Sequence, residues 1–415
     1  MDSIYYTRHA EEKIKTFAQY FKVVLVLGAR QVGKSTLLHH VFPDLQHIVF
    51  DPVTDEFLAR SDPELFLQNF KGTLILDEIQ YAPELLAVIK RYVDKSNAKG
   101  QYFLTGSHNL SMLRQVSESM AGRVGIIELS PLSLYEITNN GSRGDTWLKE
   151  YLDDAEQFAM SNHKVFDHYE TGLFETVWNG GMPGILTLPD NLRADYYKAY
   201  LNTYIERDVR VVGQIDDINN FAQFVRILSV LTAQEINSAH LGREIGIQAR
   251  TVANWMHIMQ TCYQWHEILP YYTNTIKRLS KKRKGYFSDS GFACYLQNIT
   301  SSVALAAHPN RGALFETWAV NQIRTLINTL PFEPQIYHWR TNGGAEIDIL
   351  LEKDNIFYPI EIKCKVQLSK HDISGIMAFR ETYPQLNIAK GLVIYAGDNS
   401  YQINPHVTAL SWKTI

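Results

Sequence analysis

The N-terminal part of the chain alternates short apolar runs with amphipathic stretches, a pattern typical of parallel strands connected by helices. A β-rich apolar run covers 22–27, and a helical pattern follows at 34–42. Two further apolar runs, in GTLILDE and QYFLTGS, end in polar residues. Because the carboxyl ends of buried parallel strands open on the ligand side of an α/β sheet, these polar ends predict a binding site there.

A glycine-rich loop joins the first strand to the helix after it. The segment GARQVGKS fits the pattern G-x-x-x-x-G-K-[ST], in which glycines let the backbone turn tightly around phosphates and the helix N-terminus presents unpaired N–H groups. We expect Lys34 to reach the β- and γ-phosphates and Ser35 to hold magnesium. The predicted nucleotide-binding residues are Gly28, Ala29, Arg30, Gln31, Val32, Gly33, Lys34, Ser35 and Thr36.

Lys34 is one candidate catalytic residue, and the segments around the later strands add Glu78, Thr105 and Arg123. Asp77 is expected to support the magnesium ion, and Glu78 is expected to activate the attacking water. Thr105 is a candidate for sensing the γ-phosphate or positioning water, with a polar turn as the alternative. Arg123, between a turn and a strand, either pairs with phosphate or braces the fold through an acidic residue.

Taken in this order, the loop, the acid pair and the polar strand ends resemble an AAA-type P-loop ATPase core. The resemblance implies ATP and Mg²⁺ as cofactors. No guanine-reading N-K-x-D motif follows the acid pair, and kinase-like P-loop proteins usually lack an acid such as Glu78, so ATP hydrolysis is favoured. The resemblance also implies a homo-oligomer in which a neighbouring subunit supplies an arginine. Arg123 and Arg207 are the candidates for that arginine.

The middle of the chain is predicted to be mainly helical. A polar break, TNNGSRGDTW, closes the first unit, and a helical connector follows. Two short helical patterns then meet at Gly246 and resemble a helix-turn-helix, and YYTNTIKRLSKKRKGYFSD after them resembles the hairpin of a winged helix. The buried stripe expected on the second helix consists of Val252, Trp255, Met256 and Met259.

The predicted wing is strongly basic, which makes DNA a candidate partner. Its positive charges can neutralise phosphates and would give a salt-dependent affinity, with Tyr271, Tyr272 and Tyr286 nearby. A solvated basic loop, or a winged helix used only to pack domains, is an equal alternative. The basic residues are Lys277, Arg278, Lys281, Lys282, Arg283 and Lys284.

A hairpin is predicted near the C-terminus, in EIDILLEKDNIFYPIEIK, with its turn at 354–355. In this register Asp348 lies directly opposite Glu361. The apolar residues then share one face, which supports the register. These apolar residues are Ile347, Ile349, Leu351, Tyr358, Ile360 and Ile362.

The other face of this hairpin collects charged residues. Asp348 and Glu361 would repel each other without a cation between them, so a second Mg²⁺ or a Mn²⁺ ion is expected there, with Lys363 beside it. Glu316, on the inward face of an amphipathic helix, is expected to complete the site. A helix acid followed by D-x(12)-E-x-K resembles the PD-(D/E)XK nuclease fold. Because such folds often persist as binding modules, cleavage is left open.

The complete order resembles a family of bacterial and archaeal AAA-type ATPases with a C-terminal domain of uncharacterised function. The predicted fold class is α/β, with a mainly parallel AAA-type core, a helical and winged-helix-like middle and an α/β nuclease-like C-terminal unit. The predicted bounds are 1–139 for the ATPase core, 140–215 for the connector, 216–298 for the winged-helix-like module and 299–415 for the nuclease-like domain.

The composition limits the class of protein to which the chain can belong, but it does not identify a binding partner. The 415 residues, 45% apolar and 12% aromatic, suffice for two or three cores, and a net charge of −4 excludes a wholly basic nucleic-acid coat but not a local basic patch. Three distant cysteines without a CxxC motif suggest neither a disulfide framework nor a zinc site. No long apolar run or signal peptide is evident, so no membrane association and a cytoplasmic location are expected.

From the sequence we therefore expect an ATP hydrolase whose nucleotide state controls how its C-terminal domains engage a partner, with DNA as the expected partner. Two alternatives stay open. The first is an ATP-dependent DNA endonuclease, whose cleavage would need Asp348. The second is an ATP switch that binds protein partners and has no nucleic-acid activity.

Overall fold

The structure is a computed structural model that describes residues 4–51, 56–107, 120–161, 166, 169–203, 215 and 217–415. Arg207, a candidate for the arginine supplied to a neighbour, lies outside these described residues. No helix in the described ranges combines the length and the apolar character that a bilayer span requires.

The N-terminal unit is built around a five-stranded sheet in which each pair of neighbouring strands is parallel. Its strands are β1 (Val23–Leu27), β2 (Gln46–Val49), β3 (Leu74–Asp77), β4 (Tyr102–Gly106) and β5 (Val124–Glu128). They lie in the order β2-β3-β4-β1-β5. The accompanying helices are α1 (Ala10–Tyr20), α2 (Lys34–Val41), α3 (Glu56–Ser61), α4 (Pro63–Gln68) and α5 (Leu85–Lys95).

Strand β1 illustrates why this sheet forms. All of its residues are buried, and successive side chains enter different cores. Leu25 packs in one core with Leu76, whereas Val24 packs in the other with Ile75. A strand buried on both faces reads as a continuous apolar run, because both faces are covered by other elements. The predicted α/β class with a parallel sheet is therefore confirmed.

The connector consists of short helices, several of which begin at side-chain caps. Thr146 accepts a hydrogen bond from the Lys149 N–H, and Asp154 accepts one from the Gln157 N–H. The buried carboxylate of Asp289 ties the connector to the following unit by accepting the Gly181 N–H at 2.8 Å. Helix α6 (Leu134–Ile137) comes before the connector, at the end of the N-terminal unit, and the connector helices are α7 (Trp147–Asp153), α8 (Ala155–Met160), α9 (Leu173–Asn179), α10 (Pro183–Leu186) and α11 (Arg193–Thr203).

The middle module follows the order helix, strand, two helices, strand, helix, strand. Its elements are α12 (Ile218–Val230), β6 (Gln234–Glu235), α13 (Ser238–Ile245), α14 (Ala249–Thr261), β7 (Trp265–Pro270), α15 (Thr275–Ser280) and β8 (Lys284–Phe287). Gly246, with φ 77°, ends α13 at the predicted turn. The predicted stripe on α14 is buried, as expected.

The predicted hairpin in this module needs a correction. Its first strand lies earlier in the chain, where Trp265 pairs with Phe287 in antiparallel β7 and β8. Helix α15 occupies part of the connection between the two strands. Strand β8 also pairs antiparallel with β6, so the three strands lie in the order β6-β8-β7.

The C-terminal unit continues the same sheet, because β7 pairs in parallel with β9. The resulting ten-stranded sheet has the order β14-β15-β13-β11-β10-β9-β7-β8-β6, with β12 paired to β11. Its further strands are β9 (Gln335–Arg340), β10 (Glu346–Lys353), β11 (Ile356–Lys363), β12 (Asn387–Ile388), β13 (Gly391–Tyr395), β14 (Tyr401–Asn404) and β15 (Val407–Ser411). Its helices are α16 (Ser290–Leu296), α17 (Ser302–Ala307), α18 (Arg311–Ile327) and α19 (Ser374–Thr382). The domain bounds stay a prediction, but the middle and C-terminal units share one sheet.

The C-terminal hairpin has the predicted register. Ile349 pairs with Ile360, and the antiparallel pairing continues to the turn. The prediction that the six apolar residues share one face is confirmed for the five that pack in one core, Ile349, Leu351, Tyr358, Ile360 and Ile362. Ile347 is the exception, and the β10–β9 register shifts between Ile347 and Leu350. Ile347 packs with Leu350 in one core, whereas Ile349 and Ile360 pack in another. Both faces are buried because Phe379 of α19 covers the face that was expected to be polar.

Candidate functional site

The glycine-rich loop folds tightly between β1 and α2. Gly33 has φ 95°, a value in the left-handed region that favours glycine. At Gly28 a Cβ atom would lie 2.3 Å from the carbonyl oxygen of Leu129. The loop conformation therefore depends on glycine at both positions, as a phosphate-binding loop requires.

Lys34 begins α2 with its ammonium group turned into the loop. Its Nζ donates to the carbonyl oxygens of Gly28 at 3.0 Å and Ala29 at 2.9 Å, and the residue is 4% exposed. An ammonium group held at the loop is in place to bind phosphate oxygens that the loop accepts.

The two residues predicted to hold magnesium are in contact. The Ser35 hydroxyl donates to Asp77 Oδ2 at 2.6 Å, and the other carboxylate oxygen of Asp77 accepts from the Thr105 hydroxyl. Asp77 is the last residue of β3 and is buried. Carboxylate and hydroxyl oxygens are hard ligands of the kind that Mg²⁺ prefers, so this pair fits a magnesium ion.

Glu78 lies beside this pair in an uncommon backbone conformation. Its φ of 55° is a left-handed value that few non-glycine residues adopt. The Glu78 N–H donates to Thr105 Oγ1 at 2.9 Å, and the Glu78 carboxylate accepts from the Gln80 amide. Gln80 also donates to Ser107 Oγ at 3.0 Å. Surrounding hydrogen bonds of this kind allow a strained residue to persist, and such residues cluster at functional sites.

Arg123 does not reach this edge of the sheet, which corrects the expected phosphate contact within the chain. It directly precedes β5, whose first residue Val124 pairs with Val23 at the start of β1. Arg123 therefore lies at the amino ends of the strands, whereas the loop lies at their carboxyl ends. Its guanidinium group pairs with Asp94 and donates to the Ala121 carbonyl oxygen at 3.3 Å. The alternative role, bracing through an acidic residue, matches this contact.

The connector closes the loop site from the opposite side. A cavity of about 490 Å³ is bounded by loop residues and Glu78 on one side and by Pro183, Gly184, Tyr196 and Tyr200 on the other. A Cβ atom at Gly184 would lie 2.8 Å from Tyr196 Oη, so the connector packs closely here. Sequence reasoning missed these residues, because they come from two connector helices that contain no nucleotide-binding motif. The turn signal in GGMPG was the available indication.

A second site lies where the C-terminal hairpin meets α18 and β8. The predicted residues Glu316, Asp348, Glu361 and Lys363 come together there, and Lys284 of β8 lies among them. Lys284 Nζ is 2.6 Å from Glu316 Oε1 and 2.7 Å from Asp348 Oδ1. We call this group the acid site. Sequence reasoning assigned Lys284 to DNA phosphates and missed its place in this group.

Further hydrogen bonds orient the acids. The Tyr286 hydroxyl donates to Glu316 Oε1 at 2.8 Å, and the Ile362 N–H donates to Asp348 Oδ2 at 3.0 Å. Lys363 Nζ donates to Glu361 Oε1. The hairpin therefore supplies the two acids Asp348 and Glu361 and also two of their hydrogen-bond donors, the Ile362 N–H and the Lys363 ammonium group.

Burial and neighbouring charges set the ionisation of this site. Burial, reinforced by the Asp348 carboxylate, raises the pKa of Glu316 to about 7. Burial and the same carboxylate raise the pKa of Glu361 well above its usual value. Burial opposes the charged forms of Asp348 and Lys284, but their attraction outweighs it, lowering the pKa of Asp348 and raising that of Lys284. The acids outnumber the nearby lysines, so they compete for the same positive charge.

Glu346 is a further acid that sequence reasoning missed. Carboxylate oxygens of Glu346, Asp348 and Glu361 all lie within 4.8 Å of one another. Glu361 Oε2 is buried and has no hydrogen-bond partner in the described part of the chain. The sequence pattern indicated Glu316 as the additional acid, although Glu346 stands two residues before Asp348 on the same strand.

The basic segment before β8 is divided between surface and core. Lys284 is buried in the acid site, so the expectation that it meets DNA phosphates is wrong. The ammonium group of Lys284 is thus held by acidic groups inside the fold. Arg278 is half-buried and stacks over Tyr271 at 4.6 Å. The side chain of Lys277 lies outside the described part of the structure. The exposed basic residues are Lys281, Lys282 and Arg283.

Comparison with known protein families assigns the N-terminal unit. Residues 20–138 match an AAA domain. Together with the loop geometry, this match supports an AAA-type P-loop ATPase domain and, in general, ATP binding and hydrolysis. Residues 170–303 match a Domain of unknown function (DUF8612), and residues 311–415 match another, DUF4143.

Two uncharacterized proteins, from Mycobacterium bovis and Mycobacterium tuberculosis, are similar to nearly the whole chain. Each is 26% identical over 407 residues, which cover 97% of this chain and 83% of the relative. The similarity therefore extends beyond the AAA domain.

Two solved structures show weak similarity. The Walker-type ATPase of Pyrococcus abyssi aligns with a TM-score of 0.44 and 15% identity over 71% of this chain and 99% of that protein. The RuvB Holliday junction branch migration motor of Thermotoga maritima aligns with a TM-score of 0.28 and 15% identity, over 62% and 88%. Similarity at this level supports no conclusion about function.

Arg8, which precedes helix α1, connects the glycine-rich loop with the segment that follows strand β5. Its guanidinium group donates to Val32 O at 2.7 Å and to Ser130 O at 2.6 Å, and its Nε pairs with Glu136 at 2.9 Å. Arg8 and Glu136 are both buried. Because a buried charge without its partner is strongly unfavourable, each of these residues fixes the other.

Helix α18 connects the AAA domain with the acid site. Gln322 Oε1 accepts the Leu134 N–H at 2.7 Å, and the Asn328 carbonyl oxygen accepts from Lys13 Nζ at 2.7 Å. The same helix carries Glu316. One helix therefore contacts the N-terminal unit and also carries a residue of the acid site.

Proposed function

We propose that this chain hydrolyses ATP in a magnesium-dependent reaction at the loop between β1 and α2. The observation that carries the proposal is the 2.6 Å hydrogen bond between Ser35 and Asp77, with Glu78 directly after Asp77. This is the arrangement that phosphoryl transfer to water needs, because it combines a metal ligand pair with an adjacent base. The AAA-domain match supports the same reaction class.

Each residue has a distinct role in this reaction. Lys34 binds β- and γ-phosphate oxygens, and Ser35 and Asp77 hold the magnesium ion, which neutralises phosphate charge. Glu78 accepts a proton from the attacking water. The Thr105 hydroxyl positions both acids, because it donates to the Asp77 carboxylate and accepts the backbone N–H of Glu78.

The decisive experiment compares ATP hydrolysis by the wild type and by Glu78→Gln. We expect a loss of about 100-fold or more in kcat with ATP binding retained, because the amide is isosteric but is not a base. Glu84→Gln makes the same change at an exposed position nearby and should hydrolyse ATP at the wild-type rate. Wild-type hydrolysis by Glu78→Gln would remove the catalytic assignment.

We also propose that the nucleotide state controls the C-terminal units. The contacts of Arg8 with the loop and of Gln322 with Leu134 support this coupling, because they link the AAA domain to helix α18. A neighbour-supplied arginine and a homo-oligomer belong to the same proposal, since Arg123 is turned away from its own loop. Light scattering with ATP, ADP or no nucleotide tests the oligomer. An unchanged monomer in all three conditions would contradict it.

DNA is the partner that we propose for the middle module. Its antiparallel strand order β6-β8-β7, with α13 and α14 between β6 and β7 in the chain, supports the winged-helix interpretation. The exposed Lys281, Lys282 and Arg283 favour a phosphate contact. Fluorescence anisotropy with duplex DNA should give an affinity that falls with salt and that is weakened when these three residues are changed to alanine. Affinity that is weak and insensitive to salt would favour a protein-binding switch instead.

Metal-dependent DNA cleavage is a second candidate activity, and it rests on the acid site. The unpartnered, buried Glu361 Oε2 beside Glu346 and Asp348 favours it. Labelled linear and circular DNA, incubated with Mg²⁺ or Mn²⁺ with and without ATP, should be cut by the wild type and not by Glu361→Ala. If the folded, ATP-hydrolysing protein cuts neither substrate, the acid site has a binding or structural role.

A further inference from the structure

Lys284 enters the acid site from outside the hairpin and helix that form it. It stands in β8, which belongs to the three-stranded part of the sheet formed with β6 and β7. The residue is 9% exposed, and its ammonium group lies between Glu316 and Asp348 at 2.6 and 2.7 Å. A buried ammonium group in such contacts satisfies two carboxylates that would otherwise repel each other.

The acid site therefore offers two cation positions. The first, between Glu316 and Asp348, holds the Lys284 ammonium group. The second lies among Glu346, Asp348 and Glu361, whose carboxylate oxygens are within 4.8 Å of one another. Oxygen ligands lie about 2.1 Å from Mg²⁺ and about 2.3 to 2.6 Å from Ca²⁺, so ligands on opposite sides of one ion are about 4 to 5 Å apart. The oxygen spacing is thus compatible with one divalent cation.

The second position has a separate indication of a ligand. Glu361 is 3% exposed, and its Oε2 has no hydrogen-bond partner among the residues that the structure describes. Its other oxygen accepts from Lys363. A buried carboxylate oxygen without a donor is costly, and a cation bound by Glu361, Asp348 and Glu346 would satisfy it.

We propose that Lys284 is the resident cation of the first position, so that the acid site takes one divalent cation rather than two. Glu346, Asp348 and Glu361 bind that cation, and Glu316 is held out of its ligand set by Lys284 and Tyr286. The proposal rests on the metal-dependent candidate activity. It is independent of ATP hydrolysis at the loop.

Manganese stoichiometry tests the proposal directly. Isothermal titration with Mn²⁺ is carried out without nucleotide in a Ser35→Ala, Asp77→Ala background, which removes the loop as a metal site. We expect one bound Mn²⁺ in this background, a second one when Lys284→Met is added, and one when Lys284→Arg is added instead. Methionine keeps the apolar stem without the charge, whereas arginine keeps the charge. Two ions in the background protein, or one ion in the Lys284→Met protein, would overturn the proposal.

A second variant keeps the test decisive if Lys284→Met does not fold. Glu346 is partly exposed, so Glu346→Gln is compatible with folding and should weaken Mn²⁺ binding about tenfold or more if Glu346 is a ligand. Glu352→Gln makes the same change farther along β10 and should leave binding unchanged. Equal Mn²⁺ affinity in both variants, or no Mn²⁺ binding by the background protein, refutes the ligand set. ATP hydrolysis by the Glu346→Gln single variant, measured in parallel, shows whether the loop reaction stands independently.

Discussion

Gln322 accepts a hydrogen bond from the backbone N–H of Leu134 at 2.7 Å, although 188 residues separate the two along the chain. Leu134 begins helix α6 at the end of the AAA domain, and Gln322 lies in the helix that carries Glu316. Both residues are buried. The contact therefore fixes helix α18 against the end of the AAA domain, less than two helical turns from the acid site.

Replacing Gln322 by leucine should uncouple these two regions. The Leu134 N–H would lose its acceptor in a buried position, which costs about 1 to 3 kcal/mol of unfolding free energy. We expect the ATPase kcat to change little, because Gln322 does not contact the loop. Hydrogen exchange in helix α18 should lose its dependence on bound nucleotide. Denaturant unfolding, ATPase assays and hydrogen exchange measure the three effects.

Gln402→Leu is the matched control for this change, because Gln402 is exposed on β14. It should shift the unfolding free energy by less than about 0.5 kcal/mol. If helix α18 of Gln322→Leu still responds to nucleotide as in the wild type, the coupling does not pass through this contact.

Thr105→Val should impair catalysis more than ATP binding. The Thr105 hydroxyl donates to Asp77 and accepts the Glu78 N–H, so valine removes one group that positions both acids. Loss of about 1 to 3 kcal/mol of such hydrogen bonding corresponds to a fall of about 5- to 150-fold in kcat if it acts in the transition state. Steady-state kinetics with ATP should show this fall with KM changed much less. Thr105→Ser restores the hydroxyl and should restore most of the rate, whereas equal defects in both variants would point to packing.

The outcome for individual residues shows how far sequence reasoning reached. The loop around Lys34 was predictable because its glycines, strand and helix are contiguous in the chain. The pairing of Ile349 with Ile360 was predictable because a short turn sets the register of a hairpin. Local geometry thus determines these features without reference to long-range contacts.

The errors concern contacts between distant segments. Nothing local reveals that Lys284 lies between Glu316 and Asp348, because these residues come from a strand, a helix and another strand. Arg123 lies at the amino ends of the parallel strands because Val124, the residue after it, pairs with Val23 at the start of β1. This pairing joins segments that are far apart in the chain. Ile347 changed face because of a register shift against β9, a strand outside the predicted hairpin.

Tyr196→Ala should weaken ATP binding through loss of the connector wall. The Tyr196 ring bounds the cavity opposite Lys34 and Ser35, and burial raises the pKa of its hydroxyl, with Asp289 contributing. An aromatic contact worth about 1.4 kcal/mol corresponds to a tenfold change in Kd. Titration of ATP into the Glu78→Gln background measures binding without hydrolysis. Tyr196→Phe should bind nearly as well as the wild type, and an unchanged Kd for Tyr196→Ala would exclude the ring from the nucleotide site.

The stability of the folded chain should depend on pH through His338. Burial, together with the positive charge of Lys284, lowers the pKa of His338 to about 4 from an ordinary value of 6.5. Between these two values the unfolded chain binds a proton that the folded chain does not, so the unfolding free energy falls as the pH falls. From about pH 7 to about pH 5 the contribution of this residue is about 2 kcal/mol.

Denaturant unfolding of the wild type and of His338→Gln, each at about pH 7 and about pH 5, isolates this contribution. The wild type should lose about 2 kcal/mol more than the variant over this interval, because glutamine does not titrate. The same loss in both proteins would contradict the lowered pKa. Lys284→Met should raise the His338 pKa in an NMR titration, because it removes a nearby positive charge. An unchanged pKa in that variant would mean that burial alone sets the value.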